Sequence, residues 1–198
     1  SHCDEGDGFH RPILRIDDLL GRSSSAISPE ENWNGIAPSA KPSWRIGDVE
    51  ELLEEAFSLI DSNGVAAIKS SIAYERALDF VPESREAAEE AMGSPGGARV
   101  VQDYLLHRIL YEANRRRLAF QVHCGMAPYH RGEPSQLEPR FGRYPGVSFV
   151  LLHCYPYVDY AAYLARTYEN VYLDAAWLAL LGRSILSTTL VKWLTFVP

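Results

Sequence analysis

Leu118-Ala119-Phe120-Gln121-Val122-His123-Cys124 and, after a loop rich in Pro and Gly, Val147-Ser148-Phe149-Val150-Leu151-Leu152-His153-Cys154 decide the fold class of this chain. Both runs are apolar at most positions rather than at every second one. Strands covered on both faces read this way, and they belong to parallel sheets with helical crossovers. Val65-Ala66-Ala67-Ile68-Lys69-Ser70 and Asn170-Val171-Tyr172-Leu173-Asp174 have the same character. The later runs recur every 23–30 residues or so, roughly the length of one βα repeat.

The intervening segments read as helices. Asp48 with Glu51 makes a capping-box-like start. Leu52, Leu53, Ala56, Phe57, Leu59 and Ile60 follow at helical spacing, and Asn63-Gly64 supplies the stop. Further helices are predicted over Ala98–Arg117, around Val158–Tyr168 and over Gly182–Phe196. Residues 1–47 are poorly patterned, with clusters such as Gly21-Arg22-Ser23-Ser24-Ser25 that punctuate rather than pack. Within them, Ile13–Leu20 reads as a helical turn or two. The expected organisation is therefore an N-terminal segment 1–47 and a (β/α) domain over 48–198.

Composition narrows the function classes. The 198 residues are 46% hydrophobic and 23% charged, which excludes wholesale disorder. Nineteen Lys and Arg against 26 Asp and Glu give a net charge of −7, so a general nucleic-acid binder is not expected. No apolar run approaches the ~20 residues that span a bilayer. No signal peptide is read at the start, and three Cys make no disulfide framework. The expectation is a cytoplasmic protein with no membrane and no nucleic-acid partner.

Four consecutive strand candidates end in chemistry-bearing side chains: Lys69, His123, His153 and Asp174. In a parallel sheet the strand C-termini share one end, which is where (β/α)8 barrels carry their active sites. Each residue also has a structural reading. A strand-end His is often a hydrogen-bonded core residue, Lys69 can snorkel or pair with a carboxylate, and Asp174 can cap the next helix. Cys124 and Cys154 each follow a His, but strand alternation turns them to the opposite face, which argues against a Cys2His2 zinc site. His2, Asp4 and His10 form a loose N-terminal cluster. Glu83–Glu90 reads as a solvated helix face, and Arg115-Arg116-Arg117 as cations suited to a helix C-terminus.

Taken in order, Val65–Tyr74, Gln121–Gly125, Leu151–Tyr157, Tyr163–Ala165 and Asn170–Asp174 resemble the amidohydrolase superfamily. The similarity is to its amidohydrolase-related branch of TIM-barrel metal-dependent hydrolases, of the type also fused to glutamine-synthetase-like domains. It runs from about Asp48 to Pro198. The resemblance implies that His123 is a metal ligand. It implies that His153 is a second ligand or polarises the substrate, and that Lys69 is a ligand if carboxylated. Asp174 would stand at the end of strand seven as a catalytic neighbour, with Tyr74, Arg76 and Tyr155 contacting substrate. The family's His-x-His pair is not His2-Cys3-Asp4, and Glu75 stands between Tyr74 and Arg76 where relatives place Arg directly after Tyr.

A whole barrel takes about 250 residues. The expectation is accordingly an α/β fold of (β/α)8 type, represented in part by strands four to seven with a remnant of an earlier one. The implied activity is hydrolysis of an amide- or ester-type bond in a small molecule, with one or two divalent cations, zinc foremost. The alternatives are a non-catalytic barrel acting as scaffold or regulatory module, and decarboxylase or lyase chemistry on the same frame. A part-barrel on its own is expected to bind metal weakly, to turn over negligibly and to self-associate. A homo-oligomer is compatible with the sequence.

Overall fold

In the computed structural model, residues 12–17, 19–20, 45–92, 94–128 and 130–197 are described. They build a five-stranded parallel sheet: β1 (Ile13–Arg15), β2 (Ala67–Ser70), β3 (Ala119–Cys124), β4 (Ser148–His153) and β5 (Val171–Asp174). Helix α1 (Ile46–Asn63) precedes β2, and α2 (Arg85–Ala91) and α3 (Ala98–Arg116) link β2 to β3. α4 (Glu138–Arg143) and α5 (Val158–Thr167) make the next two crossovers, and α6 (Leu178–Leu181) and α7 (Arg183–Phe196) follow β5.

The spatial order is β1-β2-β3-β4-β5, the same as the chain order. Every crossover therefore steps the same way. Right-handed crossovers that never reverse direction put all the helices on one face. A doubly wound sheet would reverse at a switch point. This sheet is instead an arc of a (β/α)8 barrel, with helices outside and the concave face inside.

Register shows which face is which. Leu14, Ile68, Phe120, Phe149 and Val171 pair in one row across the five strands, and all are buried. They face the helices, where Phe149 meets Phe120 and Phe141 edge-on at centroid distances of 6.0 and 5.0 Å. The adjacent row is Arg15, Lys69, Gln121, Val150 and Tyr172, none of it fully buried. The concave face is thus mixed, with polar side chains on β1 to β3. Val122 and Leu151 belong to the helix-facing core.

Two local expectations need correction. Ile13–Arg15 is not a helical turn but strand β1, in register with Ala67–Lys69. Three residues are too few to display a period, and the pairing is non-local. The start of α1 lies at Arg45 rather than Asp48. Asp48 is the third helical residue, and its carboxylate accepts the Arg45 N–H at 2.7 Å. The apolar stripe of α1 (Ile46, Val49, Leu53, Ala56, Phe57, Ile60) packs inward, and Gly64 (φ 63°) ends it with an N–H to Ile60 O.

Candidate functional site

Lys69, His123, His153 and Asp174 all lie at the C-terminal end of the sheet and line one open cavity of about 380 Å³. Ser71, Tyr74, Gln121, Leu152, Ala176 and Trp177 complete its wall. The register explains how these side chains come together. Lys69 pairs with Gln121, two residues before His123, and His123 pairs with Leu152, which pairs with Asp174. These share the concave face.

His153 is the exception. It pairs with Cys124, one residue past His123, so regular alternation would turn it toward the helices. The backbone instead turns left-handed at His153 (φ 70°) and again at Cys154 (φ 51°). Non-glycine residues occupy that region at a cost, and functional sites are where such conformations gather. The break brings the His153 ring to 4.9 Å from that of His123, centroid to centroid. Cys124 and Cys154 are both fully buried free thiols in the hydrophobic core. Burial, then the Cys154 thiol beside it, pushes the Cys124 thiol well up, so it is an inert neutral group.

The imidazoles are oriented. His153 Nδ1 lies 2.7 Å from the Ala176 carbonyl oxygen. A carbonyl only accepts, so Nδ1 is the donor in this bond, and Nε2 is the ring nitrogen left for other partners. His123 Nε2 is buried without a hydrogen-bond partner. Burial foremost, then the positive fields of His153 and Lys69, lower the His123 pKa to about 4. A bond to the Gly125 backbone and the charge of Asp17 pull the other way. At neutral pH His123 is therefore an uncharged imidazole with an unclaimed nitrogen.

Aromatic rings flank the pair. Tyr74 stacks on His123 at 4.5 Å and Trp177 on His153 at 5.3 Å. Trp177 is 51% exposed and is itself left-handed (φ 69°), in the turn after β5. The Lys69 ammonium makes no hydrogen bond or ion pair with another described residue. Asp174 Oδ1 accepts the Ala176 N–H at 2.8 Å, fixing the turn that delivers the Ala176 carbonyl to His153.

Two of the expected substrate contacts are not brought to the cavity. Arg76 turns into the helix layer, paired with Asp103 at 2.7 Å and lying over the Phe80 ring at 4.1 Å. Tyr155 packs against the core, and its carbonyl accepts the Met126 N–H at 3.1 Å. His2, Asp4 and His10 lie outside the described residues. Two residues escaped sequence reading: Trp177, in a turn that carries no periodic signal, and Asp17, just past β1. Asp17 is 1% exposed and accepts hydrogen bonds from Ser70, Ser71 and Arg15. Its signal was a carboxylate two residues beyond the short run Ile13-Leu14-Arg15, close to a strand end as Asp174 is.

The donors suit a divalent cation to a defined extent. Two neighbouring imidazoles, one of them oriented by a backbone carbonyl, are a common ligand arrangement for zinc. Among the described residues no group of three His, Cys, Asp or Glu is placed to hold a metal, so these supply two ligands and Lys69 stands beside them. No helix among them is long and apolar enough to cross a membrane.

Residues 41–189 match the model of the family described as Amidohydrolase. Protein fluG of Emericella nidulans is 29% identical over 152 residues, 63% of this chain and 18% of that protein. A Lactobacillus casei protein, assigned by inference as a metal-dependent hydrolase, superposes with a TM-score of 0.71 at 20% identity over 94% of this chain. Uronate isomerase from Thermotoga maritima superposes with a TM-score of 0.58 at 11% identity over 77% of it. The chain spans 49% and 39% of those two structures, which fits an arc of a larger barrel.

Proposed function

The chain belongs to the amidohydrolase family, and from that premise we propose that it carries part of the active site of a metal-dependent hydrolase acting on an amide- or ester-type bond of a small molecule. The observation that carries this reading is the converging pair His123 and His153, whose rings lie 4.9 Å apart in the wall of one cavity, with His123 Nε2 unclaimed by any hydrogen bond. These two residues would hold the cation, and zinc is the metal their chemistry suits best. When bound, such a cation acts as a Lewis acid and makes water nucleophilic near neutral pH.

The remaining roles fall to the chain's own groups. The Ala176 carbonyl holds the His153 tautomer, so that ring cannot swing out of the cavity without breaking a hydrogen bond. Trp177 and Tyr74 shield the imidazoles from the sides and limit water to the open face. Lys69 as an ammonium would repel a cation. Reaction of its neutral amine with CO2 forms an N–C bond, releases a proton and leaves an anionic carbamate that is a ligand. Asp174 lines the cavity with Oδ1 engaged by the Ala176 N–H, and its other oxygen would accept a proton from an attacking water or orient a leaving group.

Zinc titration with a competing chelator tests the reading. His123→Ala or His153→Ala should weaken binding by more than the ~10–100-fold typical of losing an outer-shell partner. Undiminished stoichiometric zinc in the double variant would overturn it.

A further inference from the structure

We propose that Asp17 is a positioning residue of this site, holding the segment Ser70–Tyr74 so that the Tyr74 ring lies against His123. The inference rests on the hydrolase reading only in treating His123 as a functional group; the contacts themselves belong to the metal-free chain.

The carboxylate lies two residues beyond the end of β1 and is 1% exposed. A buried carboxylate is costly unless donors satisfy it. Here Oδ1 accepts the Ser70 hydroxyl at 2.7 Å and the Ser71 N–H at 2.9 Å. Oδ2 accepts the same N–H at 3.0 Å and Arg15 Nε at 2.7 Å. The pairing of β1 with β2 does not need these bonds. The ladder is already closed at this end by the Ile16 N–H to the Lys69 carbonyl at 2.9 Å.

The carboxylate instead reaches past Lys69, to the last residue of β2 and the first of the turn after it. Ser70 Oγ, donating to Asp17, accepts the Ile72 N–H at 3.2 Å. The Ser71 carbonyl accepts the Tyr74 N–H at 3.1 Å, closing the short 3-10 turn Ile72–Tyr74. From the far side Arg131 donates to the Tyr74 carbonyl at 3.0 Å. The Tyr74 ring emerges from this turn 4.5 Å from His123, tilted by 34°. One buried carboxylate therefore fixes the backbone on the C-terminal side of Lys69 and, through two serines, the ring that shields His123.

The test is NMR of the His ring protons in the metal-free full chain. Tyr74 stacked on His123 shifts the His123 ring protons upfield, and Tyr74→Leu marks the position without that ring. Asp17→Ala should move the His123 resonances toward the Tyr74→Leu position and leave those of His153 in place. Asp17→Asn keeps an acceptor oxygen for the serines and should restore most of the upfield displacement. A folded Asp17→Ala protein with His123 at its wild-type position overturns the proposal, as does equal movement of both histidines, which marks a general loosening. Should Asp17→Ala not fold, Ser70→Ala decides: a smaller downfield movement of His123 alone supports the proposal, and none overturns it. Failure of zinc to bind would remove the hydrolase reading and leave this result standing.

Discussion

His107 and His123 are buried imidazoles whose pKa values are both lowered to about 4. Burial is the first cause in each. Arg140 and Arg143 add to it at His107, His153 and Lys69 at His123. An unfolded histidine titrates near pH 6.5. Between about pH 6.5 and 4 the unfolded chain binds more protons than the folded one, so stability rises with pH across that window. The thermal midpoint should accordingly drop between pH 7 and pH 5, and His107→Gln should shrink the drop. An unchanged midpoint would show that neither ring is kept neutral by the fold. His123 and His153 were legible in the sequence because each closes an apolar run that could only be an interior strand. His107 was not, because it sits mid-helix on α3, where its Nδ1 meets the Tyr144 hydroxyl at 2.7 Å. That partner is 37 residues away, and no local pattern announces it.

The ends of β3 and β4 are joined by a close backbone approach at Gly125. Its φ is +71°, and a Cβ there would lie 2.3 Å from the Tyr155 carbonyl oxygen. The Gly125 N–H bonds the Gly132 carbonyl, and the Met126 N–H bonds that of Tyr155. Gly125→Ala combines a left-handed conformation with a backbone clash, so it should cost at least ~2 kcal/mol. Urea unfolding measures it, and a loss within ~0.5 kcal/mol would mean the two loops part without consequence. Elements of this kind were readable in part. The helix stop at Gly64 followed from composition, since glycine suits the left-handed cap. The three-residue β1 did not, because its strand character comes from pairing with β2 and not from its own sequence. Nor did the left-handed break after Leu152, which brings His153 to the concave face against its register.

At the scale of the molecule, the most exposed large apolar side chains among the described residues lie on the last two helices. Leu180 and Leu194 are each 80% exposed, Val191 65% and Tyr172 51%. Large apolar side chains left this exposed favour association, and sheet edges unpaired among the described residues add to the hazard. Taken alone, these 198 residues should self-associate, and Leu180→Lys with Leu194→Glu should shift sedimentation toward monomer without lowering the unfolding midpoint. A monodisperse wild-type monomer would show that residues other than those described cover this surface. The barrel class was legible at this scale because interior strands, crossover lengths and strand-end polar residues all agreed. The mixed concave face was not, since the sequence alone left open which alternate row turned inward. The same strand order has a kinetic meaning. His123 and His153 stand on strands flanked on both sides, whereas Asp174 and Trp177 depend on β5, which has one neighbour among the described strands. Amide hydrogens of Phe120–His123 and Phe149–Leu152 should therefore outlast those of Tyr172 and Leu173 in exchange with deuterated water, because an edge strand opens at a lower free energy than a central one. The cavity joins a slowly breathing floor to a quickly breathing wall: fluctuations that release Trp177 also release the Ala176 carbonyl from His153, and leave His123 in place.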